Sequence, residues 1–80
     1  MLIAKCKKNI DPWGNKQTSL VVGQIYDVED IVMDRWHTDI YLKGRKDEYN
    51  SVMFDFYENG KEIDIYKDSR FNPYLKEVEQ

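Results

Sequence analysis

The sequence predicts an all-β protein, a small antiparallel barrel of five short strands with a brief C-terminal extension. Three observations carry this reading. Apolar and polar residues alternate over most of residues 2–66, the period of a half-buried strand. Asn59-Gly60 lies between two alternating runs, the strongest short-range hairpin signal, because both residues tolerate positive φ. No segment carries the apolar spacing of a normal-length amphipathic helix.

The first strand is marked by Leu2, Ala4 and Cys6, which alternate with Ile3, Lys5 and Lys7. From Asn9 to Ser19 the chain is polar and broken by Asp11-Pro12 and Gly14, a loop long enough in so small a domain to suggest a role. The second strand runs from about Gln24 to Met33. Tyr26, Val28 and Val32 share one face and Ile25, Ile31 and Met33 the other, so a bulge near Glu29-Asp30 is expected to shift the register. In the third strand Trp36, Thr38, Ile40 and Leu42 alternate with His37, Asp39, Tyr41 and Lys43, and Gly44 to Glu48 forms a charged turn.

The Asn59-Gly60 hairpin fixes the last two strands. A two-residue loop sets Glu58 opposite Lys61, Tyr57 opposite Glu62, Phe56 opposite Ile63 and Asp55 opposite Asp64. Continued outward, Phe54 meets Ile65 and Met53 meets Tyr66. Beyond Asp68 the alternation fades. Residues 1–68 thus form the barrel and 69–80 an extension in which Phe71, Pro73, Tyr74 and Leu75 fold back over one end, while Glu77 to Gln80 fray. Barrel closure would remove the exposed edges on which small sheets aggregate.

Composition narrows the functional classes. Eighty residues make one domain with a thin core, and a net charge of −3 exerts no global pull towards nucleic acid. The single cysteine, Cys6, excludes an internal disulfide. The early lysines are unlike a signal peptide and no apolar run reaches transmembrane length, so a cytoplasmic protein without membrane contact is expected.

The stretch Leu20-Val21-Val22-Gly23-Gln24-Ile25-Tyr26-Asp27-Val28 resembles the L-x-x-G-x-x-Y-x-V signature of SH3-like barrels. Lys5-Cys6 occupies the matching place in the leading strand, and Gly23 the place where the chain turns into the second. Over residues 1–66 the chain resembles short proteins carried by phages and mobile elements of Gram-positive bacteria. That resemblance implies the fold and supplies no common activity. It allows a phage-type modulator or inhibitor that binds a host factor directly.

No catalytic constellation is present. Cys6 and His37 are the only nucleophile–base combination, and Cys6 shares its face with Leu2 and Ala4 as a small core residue. Zinc-type ligand spacing is absent, so neither enzyme activity, metal nor cofactor is expected. Asp55 and Asp64 face each other across the expected hairpin, with Glu62 diagonally adjacent. Like charges there require an offset. Arg70 or Arg35, a basic patch on a partner, or a divalent cation would each supply it.

The leading functional reading is a non-enzymatic module that binds a host or phage protein. Its contact surface combines Asp55, Glu62 and Asp64 with Met53, Tyr57, Tyr66 and Trp13, since aromatic residues and Met favour interfaces. Trp13 serves this surface or lies as a lid over the barrel end. The alternative is a nucleic-acid-binding barrel using a basic stripe of Lys5, Lys7, Lys16, Lys43, Arg45 and Lys46 with Tyr41. A third reading, a nucleotide-like ligand, needs a cavity that a chain of this length would supply only between subunits.

Overall fold

The computed structural model describes residues 1–75. The expected fraying of Glu77–Gln80 lies outside the described residues. Six antiparallel strands make one sheet: β1 (Leu2–Cys6), β2 (Ile25–Met33), β3 (Thr38–Leu42), β4 (Glu48–Asn50), β5 (Phe54–Glu58) and β6 (Lys61–Ile63). Their spatial order is β4-β3-β2-β1-β5-β6. The sheet is not closed, which corrects the five-stranded barrel expected from the sequence.

Side chains at the two ends explain the open edges. Asn50 accepts the Val52 N–H at 3.1 Å, and Asp64 accepts the Tyr66 N–H at 2.9 Å. Each carboxyl or amide oxygen offers the backbone a partner outside the ladder. β4 therefore stops in a 3-10 turn at Ser51–Met53, and β6 in another at Ile65–Lys67. The Ser51 and Tyr66 hydroxyls are hydrogen-bonded to each other, tying the two turns together. Both edge strands are only three residues long, which limits pairing with other chains.

The hairpin register holds for Glu58↔Lys61, Tyr57↔Glu62 and Phe56↔Ile63, with Asn59 at φ 53° and Gly60 at φ 79°. It does not continue to Asp55–Asp64, Phe54–Ile65 or Met53–Tyr66, because Asp64 is drawn into the turn. The bulge in β2 falls between Val28 and Asp30. It places Val28 and Ile31 on the same side as Leu42 and Ile40, and turns Asp30 outward beside Tyr41.

β1 is paired on both sides, with β2 and with β5. Gly23, at φ 91°, lets the chain enter β2: its N–H donates to the Cys6 carbonyl at 2.7 Å, and the Cys6 N–H donates back to Gln24 at 2.9 Å. The Tyr26 hydroxyl accepts the Val21 N–H at 2.9 Å, so the tyrosine of the Leu-Gly-Tyr motif fastens the turn that the glycine opens.

The core lies on one face of the curved sheet. Ala4, Cys6, Ile40, Leu42, Phe54 and Phe56 supply it from the strands, and Leu20, Met53 and Ile65 from the loop and the 3-10 turns. Tyr49 and Phe56 flank Phe54 at ring separations of 6.3 and 6.2 Å. Phe71 packs against this cluster. Arg70 anchors that segment with a fork of hydrogen bonds to Glu58 at 2.8 and 3.0 Å and further bonds to Asp68. Among the described residues, no helix is long and apolar enough to cross a membrane.

Candidate functional site

A concavity of about 900 Å³ lies where three segments meet. The Asn9–Ser19 loop contributes Pro12 and Trp13, the β2–β3 turn contributes Met33 to Thr38, and the third side is formed by Asn50–Val52 with Tyr66, Asn72 and Tyr74.

Local hydrogen bonds hold the aromatic rim in place. Asp11 Oδ1 accepts the N–H groups of Trp13 at 3.0 Å and Asn15 at 2.8 Å, fixing the loop around Trp13. Desolvation works against the Asp11 anion, but these amides outweigh it and hold its carboxyl below the ordinary range. Asp34 makes the equivalent turn beside β2. Its Oδ1 accepts the His37 N–H at 2.9 Å and the Trp36 N–H at 2.8 Å, and these bonds lower its pKa. On the third side Asn72 Nδ2 donates to the Tyr66 carbonyl at 2.7 Å, and the Arg35 guanidinium stacks over Tyr74 at 5.0 Å.

These turns leave Trp13 71% and Trp36 91% exposed on the rim of one cleft. Trp13 is therefore not a lid buried over a barrel end. Trp36, expected on the core face of the third strand, lies in the turn before it, because Asp34 captures the Trp36 and His37 amides and β3 begins only at Thr38. The sequence signal was the Asp34-x-Trp36 spacing of an Asx turn, which outweighs the alternating pattern. His37 Nε2 stands 3.4 Å from Asp39 and 3.6 Å from Asp34. Trp13, His37 and Asn50 also border a small recess of about 190 Å³ that includes Asp11, Asp39 and Glu48.

The expected hairpin surface is divided. Asp55, Glu62, Asp64 and Tyr66 line a second concavity of about 790 Å³, together with Lys7 and Lys8. Asp55 does not oppose Asp64: it lies opposite Lys5 in the ladder, and Lys7 Nζ is 3.3 Å from its carboxylate. Arg70 is engaged by Glu58 and Asp68 instead. Tyr57 is half-buried between Ile3 and Glu62 in the register. Met53 is fully buried in the core and so presents nothing to a partner, a correction that follows from its place in the 3-10 turn rather than in a strand. Tyr66 borders both concavities and joins them.

The basic residues do not form one stripe. Lys5 and Lys7 belong to the β1 side, while Tyr41, Lys43, Arg45 and Lys46 lie in and beyond β3. Between them runs β2, whose outward positions include Asp27 and Asp30. Lys7 is paired with Asp55, and Arg45 stacks over Tyr26 at 4.9 Å while donating to the Ser19 carbonyl. The Tyr41 hydroxyl donates to Glu48 at 2.8 Å, a bond that raises its pKa. Lys16 forms an isolated bridge with Ile10 in the long loop, outside the strands of the sheet. Among the described residues, no group of three or more His, Cys, Asp or Glu is arranged to hold a metal ion.

A family model for Bacteriophage T4 protein Y07B matches residues 14–77, well over half of the chain. The chain belongs to the Y07B family. No curated protein and no solved structure matches it. The phage connection read from the sequence is thus shown, but the phage that names the Y07B family infects Gram-negative E. coli. The Y07B match takes in Trp36, His37, Tyr66 and Tyr74 and begins one residue after Trp13.

Proposed function

We propose that this protein is a non-enzymatic binding module that grips a segment of a partner protein in the Trp13–Trp36 cleft. One observation carries the reading: two tryptophans, 71% and 91% exposed, stand on the rim of a single cleft of about 900 Å³. Tryptophan left in water on a domain this small forfeits about 2–3 kcal/mol of burial per side chain. Tryptophan is also among the residues that dominate protein interfaces. Tyr66 and Tyr74 extend the same surface, and the acidic trio Asp55, Glu62 and Asp64 adjoins it through Tyr66.

Membership of a phage protein family fits a cytoplasmic modulator or inhibitor of a host factor, acting by occupancy rather than by chemistry. The test is capture of partners on immobilised protein from nuclease-treated lysates of E. coli and of a Gram-positive host. The wild type and the Trp13→Ala/Trp36→Ala variant are compared. A discrete protein retained by the wild type and lost by the variant supports the reading. Equal retention moves the site away from the cleft. A catch that disappears with nuclease turns attention to the dispersed lysines and Arg45.

A further inference from the structure

The charge around the two tryptophans specifies what they would grip. Asp34 lines the cleft, and Asp11, Asp39 and Glu48 line the recess that opens beside Trp13 and His37. Among the described residues, the basic side chains lining these two spaces are Arg35 and His37. Arg35 is spread over Tyr74, and His37 sits between Asp34 and Asp39. Among the described residues, carboxylates therefore outnumber guanidinium and ammonium groups around the exposed tryptophans.

We infer that the Trp13–Trp36 cleft receives an arginine side chain from an extended segment of the partner protein. This deepens the protein-binding reading and rests on it. A guanidinium is planar, stacks on indole faces and is weakly hydrated, so it pairs with carboxylates at modest desolvation cost. The fold already contains this contact in miniature, in Arg35 over Tyr74 and Arg45 over Tyr26. Single-stranded nucleic acid would also stack on the indoles, but its phosphates would meet Asp34, Asp39 and Asp11. The same carboxylates attract a guanidinium.

The experiment is a titration of the full chain, followed by tryptophan fluorescence, with three peptides of one length. Each has a Gly-Ser background carrying four arginines, four lysines or four citrullines; oligo(dT) is the fourth probe. Saturable quenching by the arginine peptide is expected. Trp13→Ala and Trp36→Ala, followed through the remaining indole, should each weaken it at least about threefold. Asp39→Asn should weaken it further than added salt alone accounts for, with far-UV circular dichroism unchanged. Equal binding of the citrulline or lysine peptide would overturn the arginine assignment, as would tighter binding of oligo(dT) or indifference to both Trp substitutions. A partner captured through the cleft despite such a result would leave the protein-binding reading intact and remove only its arginine specificity. Loss of both would sink the two together.

Discussion

Met53 offers the sharpest test of the fold, because strand alternation places it outside and the 3-10 turn places it in the core. It is fully buried, with Ser51 beside it also buried and Val52 between them exposed. Its carbonyl accepts the Lys7 N–H at 2.8 Å, so its backbone is fixed against the end of β1. Met53→Ala removes about three methylene-sized groups, each worth about 0.8 kcal/mol in transfer. A residual cavity raises the total to about 2.5–4 kcal/mol. For a domain of this size each kcal/mol moves Tm by about 4–8 °C, so a fall of at least about 10 °C is expected. Urea unfolding followed by far-UV circular dichroism measures this, with Trp36→Ala as the exposed control, expected within about 0.5 kcal/mol of the wild type. A Met53→Ala loss below about 1 kcal/mol with an unchanged m-value would refute the turn and restore the continuous strand.

Three further outcomes follow from the same fold. Hydrogen bonds from Arg70 hold the carboxyls of Glu58 and Asp68 below their ordinary values, so the stability they add is present above about pH 4.5 and is lost as pH falls through the lowered values. The stability gap between wild type and Arg70→Met should therefore be constant near neutrality and shrink in acid; a gap that widens below pH 4 would contradict the pairing. Gly60→Ala forces a side chain onto φ 79° and should cost about 1–2 kcal/mol by thermal melting; no loss would deny the two-residue hairpin turn. Burial pushes the Cys6 thiol up and outweighs the opposing, lowering effect of its backbone hydrogen bond at Lys8, so alkylation by iodoacetamide at pH 8 should be slow until urea unfolds the chain.

Where one side chain dictates backbone geometry, the sequence was readable. Asn59-Gly60 gave the hairpin and its first three pairs, Gly23 the entry to β2, and Glu29-Asp30 the bulge. The misreadings share one cause. Asp34, Asn50 and Asp64 each accept an amide two residues ahead, and each interrupts an apolar alternation that continues in the sequence. Counting alternation without these competitors carried Trp36, Met53 and Asp64 into strands and hid β4 altogether. The site suffered from the same error. Trp13 was legible as a residue of the long loop but not as an exposed one, and Trp36 became visible only once the turn was placed. Tyr74 joins the cleft through tertiary contacts of the final segment, which no local pattern encodes.

The central position of β1 bears on how the chain reaches this state. Leu2 lies opposite Glu58 and Cys6 opposite Phe54, so β1 waits for β5, far along the chain, before it is paired on both sides. Closing so long a loop carries an entropic penalty that only the assembled core offsets. A nascent chain halted before Phe54 could form the β2–β3 hairpin, but would leave β1 without its second neighbour. The cleft shares this late completion, because its third wall comes from Asn50–Val52, Tyr66, Asn72 and Tyr74. Binding competence and the finished sheet therefore arrive together, only once the segment from Asn50 onward has been made.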